Sequence, residues 1–128
     1  MKQKLPLIAA AASLLALTTA EAIAEEPGNW KKGRLYYRAV CTACHVDEAG
    51  GSIAPAEYKI QEWKDYLEAE RGVEHVGQYI AQSHREAVAP ENKVAAAFAK
   101  LTDEELLADV RAFVVYGAKD SATPATCN

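Results

Sequence analysis

The sequence has little of what defines several unusual classes of protein. Its 128 residues include three cysteines, seven glycines and five prolines, and 8% of them are aromatic. Three cysteines are too few for a small fold that is built on disulfides. The low glycine and proline content excludes collagen-like and low-complexity chains. The chain also lacks an excess of positive charge, because its net charge is −4. A nucleic-acid-binding protein is therefore not expected.

The first 24 residues have the pattern of a secretory signal peptide. Lys2 and Lys4 flank the start of an uncharged run of 16 residues, and small residues follow at Ala22 and Ala24. That run is shorter than the roughly 20 residues that a membrane-spanning helix needs. We expect cleavage after Ala22 or Ala24, export to the periplasm, the cell surface or the medium, and no membrane anchor in the mature chain.

Cleavage after Ala24 changes the composition of what remains. It removes Met1, the only methionine, and it changes the net charge from −4 to −5 because two lysines and Glu21 are lost. We expect residues 25–117 to form one domain, since apolar residues make up 50% of the chain and charged residues 25%. Residues 118–128 carry Ser, Thr and Pro and are expected to form an irregular tail.

The mature sequence predicts helices and no strand, and therefore an all-α domain. Apolar residues recur at helical spacing before Cys41, from Pro55 to Gly72, from Val73 through His84, and in one or two turns near residues 94–101. Pro90 closes the third of these regions. A capping box, Thr102–Glu105, begins a last helix that extends to Gly117.

The motif with the clearest chemistry is Cys41-Thr42-Ala43-Cys44-His45. C-x-x-C-H is the attachment sequence of c-type haem. Two cysteines three residues apart lie on one side of a helical turn, so both thiols can bond to the porphyrin edge. His45 then follows as the proximal ligand of the iron. We therefore predict one covalent haem c.

Three other interpretations of this motif fit less well. A thioredoxin-like redox pair requires a βαβ context, which the sequence lacks. A structural zinc site requires a second pair of ligands at metal-binding spacing, and His75 and His84 are nine residues apart. A plain disulfide is chemically possible after export, but it gives no role to His45.

The chain resembles the monohaem cytochromes c of class I. The resemblance is carried by Gly33-Arg-Leu-Tyr-Tyr37 leading into the haem motif, and by Leu101-Thr-Asp-Glu-Glu-Leu-Leu-Ala-Asp-Val-Arg-Ala-Phe113. It implies that the first helix presents the motif, that the last helix crosses the first, and that redox proteins are the partners. The chain departs from the family in one respect, since the usual distal methionine is missing.

The distal side of the iron has several candidate ligands. With Val73 at 0°, helical phase places His84 at about 20°, on the same side as the apolar residues Val73, Val76 and Ile80. It places His75 at about 200°, on the opposite side. We therefore favour His84, with His75 as the less favoured histidine. Cys127, a weak ligand such as Asn92 or Lys93, and an open site are the other possibilities.

Cys127 is the third cysteine and has no partner once Cys41 and Cys44 hold haem. It could form a covalent dimer, act as a reactive thiol or iron ligand, or be a tolerated thiol in the tail.

Two functions follow from the two kinds of distal site. With two strong ligands the protein is an electron carrier that alternates between Fe(II) and Fe(III). With an open or displaceable site it binds or transforms a small ligand such as NO, CO, O₂ or a sulfur compound. The sequence shows no catalytic triad, paired carboxylates or phosphate loop, so we expect an electron carrier of low potential and not an enzyme.

Overall fold

The computed structural model describes residues 27–45 and 51–126 of the chain. Within these ranges the chain forms seven α-helices and no β-strand, which confirms the predicted all-α class. A π turn, Tyr37–Cys41, joins the first two helices, and a 3₁₀ turn, Pro55–Glu57, precedes the third. The helices are α1 (Trp30–Tyr36), α2 (Thr42–His45), α3 (Ile60–Glu68), α4 (Glu70–Ile80), α5 (Gln82–Val88), α6 (Lys93–Phe98) and α7 (Asp103–Tyr116).

The predicted signal peptide, residues 1–24, and Cys127 both lie outside the described residues. Of the helices in the described part of the chain, none combines the length and apolar character that a membrane span requires.

Helix α7 lies at the centre of the fold and contacts α1, α3 and α4. It crosses α1 at Gly33, where a Cβ atom would lie 1.9 Å from the carbonyl oxygen of Asp109. Only a residue without a side chain allows this approach. Beside the crossing, the rings of Tyr37 and Phe113 meet edge to face with centroids 5.4 Å apart. The first and last helices therefore cross as the family resemblance implied.

The start of each of these two helices is capped. Asn29 Oδ1 accepts hydrogen bonds from the backbone N–H groups of Lys31 and Lys32 at the start of α1. At the start of α7, Thr102 Oγ1 accepts from the backbone of Glu105 at 3.1 Å, and the Glu105 carboxylate accepts from the backbone of Thr102 at 2.9 Å. The capping box predicted from the sequence is thus confirmed.

The prediction of one helix ending at Gly72 and a second running from Val73 to His84 is wrong. Helix α3 ends at Glu68, and Gly72 lies inside α4. Gly72 is required there because a Cβ atom would lie 1.8 Å from the carbonyl oxygen of Tyr66. Helix α4 then ends at Ile80, since Ala81 has extended backbone geometry with φ −54° and ψ 139°.

Arg85 in α5 connects the end of α4 to α6 and to the start of α7. Its side chain is fully buried. The guanidinium donates to the carbonyl oxygens of Ile80 at 2.9 Å and Leu101 at 2.8 Å, and also to that of Phe98. It forms an ion pair with Asp103 in the first turn of α7. Four acceptors around one buried cation fix the ends of α4 and α6 against the start of α7.

The chain after α7 is irregular, and backbone hydrogen bonds attach it to the domain. Lys119 N–H donates to the carbonyl of Tyr58 at 2.9 Å, and Ala125 N–H donates to that of Gly117 at 2.8 Å. Ala118 is fully buried. The described part of the predicted tail therefore covers one end of the helical domain.

Candidate functional site

The Cys-x-x-Cys-His motif spans the junction between the π turn and α2. Cys41 is the last residue of the π turn, whereas Cys44 and His45 lie in α2. The backbone N–H of Thr42 donates to the carbonyl of Tyr37, five residues earlier, which is the wider spacing of a π turn. Such turns are frequent at functional sites. This turn could not be predicted from the sequence, because helical spacing alone does not reveal one inserted residue.

A cavity of about 430 Å³ lies between this motif and helices α3, α4 and α7. One wall carries all three functional residues of the motif, Cys41, Cys44 and His45. The facing walls are mostly aliphatic and aromatic, and among the lining residues Glu62 is the one carboxylate while no lysine or arginine is present. The other lining residues are Tyr37, Val40, Ile53, Tyr58, Trp63, Tyr66, Leu67, His75, Val76, Tyr79, Ile80, Val110 and Val114.

His45 and His75 both line this cavity and lie next to each other. Their ring centroids are 6.0 Å apart, with an angle of 83° between the ring planes. His45 Nδ1 is buried and has no hydrogen-bond partner within the described ranges. Most buried polar atoms in proteins have such a partner. The cavity therefore contains two neighbouring imidazoles, one from α2 and one from α4, in surroundings that supply few other polar groups.

The predicted orientation of His84 toward this site needs correction. His84 does not line the cavity, and its ring instead meets the Tyr79 ring edge to face, with centroids 5.3 Å apart. Helical phase does not extend from Val73 to His84, because the backbone breaks at Ala81. Val73, taken as the reference for the apolar stripe, is 53% exposed.

The side of α4 that faces inward carries Gly72, Val76 and Ile80, and His75 lies at its edge. The structure therefore brings His75 into the cavity and leaves His84 outside it. A signal was present in the sequence, since Val76, Tyr79 and Ile80 form an apolar stripe of their own beside His75. Val73 does not belong to that stripe, because its side chain is exposed.

The other sequence candidates are also located away from the cavity or outside the described ranges. Asn92 caps α6 with its side-chain oxygen, and its Nδ2 donates to the carbonyl of Ala39 at 2.9 Å. Lys93 is exposed at the start of α6. Neither residue lines the cavity.

Two aromatic residues of the cavity wall are fixed by hydrogen bonds to backbone carbonyls. Trp63 Nε1 donates to the carbonyl of Pro55 at 2.8 Å, and Tyr37 Oη donates to that of Ile53 at 2.6 Å. The Trp63 ring also meets Tyr58 edge to face at 5.2 Å. These contacts give the cavity a preformed apolar wall, which a flat and mostly apolar ligand requires.

An all-helical domain with a C-x-x-C-H motif at the wall of an apolar cavity defines a haem-attachment fold. The family model for cytochrome c matches residues 30–117, and the chain belongs to the cytochrome c family. No characterised protein and no solved structure matches the chain significantly.

Members of this family carry covalently bound haem c, and Cys41 and Cys44 are present in the attachment motif. The residues of the cavity fit this group: the two cysteines are on its wall, a buried imidazole nitrogen of His45 lacks a partner, and aromatic side chains line the remaining surface. The family assignment also makes the protein a haem-based electron carrier with redox partners.

Proposed function

We propose that the protein is an exported monohaem cytochrome c of low potential, in which His45 and His75 are the two axial ligands of the iron. The observation that carries this proposal is the pair of imidazoles, one from α2 and one from α4, that line the cavity with their ring centroids 6.0 Å apart. These two histidines would hold the iron of the haem, because neutral imidazole is a common ligand of haem iron.

Each part of the site has a distinct task in this proposal. Cys41 and Cys44 hold the haem covalently, so that it stays with the protein after export. Trp63, Leu67 and Val114 exclude water from the cavity. The bound haem supplies an iron that accepts and releases one electron. His45 and His75 would supply two imidazoles to the iron and would leave no position for a substrate, so we do not expect enzyme activity.

Low potential follows from the ligands and the charges of the cavity wall. Methionine as an axial ligand raises the potential of cytochromes c, but the only methionine of the chain is Met1. A second imidazole donates more strongly than a thioether and favours Fe(III). Glu62 adds a carboxylate at the wall, where no lysine or arginine opposes it.

The proposed export rests on residues 1–24, whose uncharged run follows a basic start. After expression with a haem-ligation system, the mature chain should begin at Ile23 or Glu25, and its mass should include one haem.

Extraction with acid acetone should leave the colour of the haem with the polypeptide. Replacement of both Cys41 and Cys44 by Ala should abolish covalent attachment. A covalent dimer through Cys127 would appear as a dimer that reductant separates.

The experiment that tests the axial ligand compares His75→Ala with His84→Ala. We expect wild type and His84→Ala to give low-spin spectra in both oxidation states. His75→Ala should give a high-spin ferrous spectrum and bind CO rapidly. Unchanged spectra for His75→Ala, with a high-spin form of His84→Ala, would assign the ligand to His84. Rapid CO binding by the wild type would instead support the alternative function, a haem protein that binds or transforms a small ligand.

A further inference from the structure

The end of α4 depends on side chains from other helices for its hydrogen bonds. The last carbonyl groups of a helix find no N–H donor within the helix, so they must accept hydrogen bonds from elsewhere. Here the carbonyl of Tyr79 accepts from Tyr36 Oη at 2.5 Å, and that of Ile80 accepts from Arg85 Nε at 2.9 Å. Of the two donors, Tyr36 belongs to the helix that leads into the haem motif.

The bond between Tyr36 and Tyr79 connects the two walls that carry the axial histidines. Tyr36 is the last residue of α1 and precedes Cys41 by one turn and a half. Tyr79 follows His75 by four residues, so the two side chains lie on one face of α4. Their rings are in contact, with centroids 5.3 Å apart. A displacement of the Tyr79 backbone is therefore passed directly to His75.

The surroundings of Tyr36 hold its phenol in one orientation. The side chain is fully buried, and its ring meets Phe98 edge to face with centroids 5.4 Å apart. Burial raises the pKa of the phenol well above its ordinary value, so the hydroxyl remains a donor at all physiological pH values. The carbonyl of Tyr79 accepts its hydrogen bond from this hydroxyl, which joins α1 to α4.

We propose that Tyr36 is a positioning residue that holds His75 next to His45, by joining the end of α4 to the helix of the haem motif. This inference rests on the proposed function, in which His75 is the axial ligand. Tyr36 does not line the cavity, so it acts on the ligand through the Tyr79 backbone. Loss of its hydroxyl leaves the ligand in place but weakens the restraint on its position and ring plane.

The test uses the holoprotein of Tyr36→Phe, which removes only the hydroxyl. CO binding to the ferrous form reports how readily the distal imidazole leaves the iron. We expect binding to become about tenfold faster, since a buried carbonyl that loses its donor costs about 1.4 kcal/mol. The largest g value in the ferric electron paramagnetic resonance spectrum should also shift, because it depends on the orientation of the imidazole planes.

A matched control separates positioning from general loss of stability. Asp109→Asn weakens the contact between α1 and α7 at Asn29, away from α4. We expect this variant to be destabilised but to bind CO within about twofold of the wild-type rate. An equal rise in Asp109→Asn and Tyr36→Phe would overturn the proposal, and so would wild-type CO binding and g values in Tyr36→Phe.

Failure of the proposed function gives a different result from failure of this inference. If His75→Ala keeps the wild-type spectra, the axial ligand itself is wrong and the positioning role falls with it. If His75→Ala becomes high-spin but Tyr36→Phe matches the wild type, only the positioning role is wrong.

A measurement on the wild type covers the case in which Tyr36→Phe yields no folded holoprotein. Solvent exchange of the Tyr36 hydroxyl proton is followed by nuclear magnetic resonance, with and without CO. Displacement of His75 by CO should accelerate this exchange about tenfold, because it releases α4 from α1. Equal exchange in the two states would overturn the coupling between Tyr36 and His75.

Discussion

The backbone N–H of Asn29 donates a hydrogen bond of 2.6 Å to Asp109 Oδ1, across 80 residues of sequence. Asn29 caps α1 with its own side chain, and Asp109 is 8% exposed in the middle of α7. This bond fixes the start of α1 beside the point at which Gly33 crosses α7. The helix that leads into the haem motif is therefore held at its start by α7 and at its end by the bond from Tyr36 to α4.

The close approach of α1 and α7 predicts that Gly33→Ala is strongly destabilising. The added Cβ atom would lie 1.9 Å from the carbonyl oxygen of Asp109, so the helices must separate. We expect a loss of about 3 kcal/mol in the free energy of unfolding, measured by chemical denaturation of the holoprotein.

Gly77→Ala in α4 is the control, because no atom beyond its own stretch of helix lies within 4 Å of its Cβ position. That variant should gain about 0.5 kcal/mol from helix propensity. Equal stabilities of the two variants would contradict the crossing.

The buried position of Arg85 predicts a second large loss of stability. Arg85→Met removes the donor to three carbonyl groups and leaves Asp103 without its cation. We expect a loss of about 3–5 kcal/mol, because these carbonyls would lose their partners inside the protein. Glu68→Gln is the control, since Glu68 forms an ion pair with Arg111 at the surface and is 64% exposed. That change should cost less than about 1 kcal/mol. A small effect of Arg85→Met would show that water replaces the guanidinium.

The raised pKa of Tyr36 predicts how stability depends on alkaline pH. The phenol has an ordinary pKa of 10.0, and burial keeps it protonated in the folded protein well above that value. The unfolded chain therefore loses this proton first as the pH rises. The stabilisation that comes from the protonated Tyr36 phenol is therefore fully present below pH 10 and is lost as the pH rises through the pKa of the folded state. In denaturation between pH 8 and 11, Tyr36→Phe should show a weaker decline in stability than the wild type.

Tyr116→Phe is the control for this pH dependence, because Tyr116 is 38% exposed at the end of α7. It should retain the decline seen in the wild type. A decline of the same slope in Tyr36→Phe would mean that Tyr36 does not contribute to it.

Features that depend on neighbouring residues could be predicted from the sequence. The haem motif is defined by three positions within five residues, and the capping box at Thr102 depends on a contact with Glu105. The end of α7 at Gly117 is likewise marked by a local signal. The crossing of the first and last helices followed from the family resemblance, and the structure places Gly33 at that crossing.

The features that could not be predicted depend on contacts between distant residues. The break at Ala81 leaves the carbonyl groups of Tyr79 and Ile80 in need of donors. Tyr36, 43 residues from Tyr79, donates to the first of them, and Arg85 donates to the second. The other carbonyls that accept from Arg85 belong to α6 and to the residues after it. The local signal at Gly72 predicts the end of a helix, but Gly72 lies within α4, where the Tyr66 backbone approaches it. Helical phase is valid only within one helix, which is why His84 was favoured over His75.

The identity of the distal ligand predicts the effect of restoring a methionine on the redox potential. His75→Met puts a thioether at the cavity wall next to His45, where the wild type has an imidazole. A thioether stabilises Fe(III) less than imidazole does, so the midpoint potential should rise. We expect a rise on the order of 0.1 V, within the range of about 0.8 V that axial ligands span. The charge of the cavity wall, including that of Glu62, stays the same, because one uncharged side chain replaces another.

His84→Met is the control, because His84 contacts Tyr79 and does not line the cavity. Spectroelectrochemical titration of the three holoproteins decides the matter. A rise in His84→Met, or an unchanged potential in His75→Met, would contradict ligation by His75.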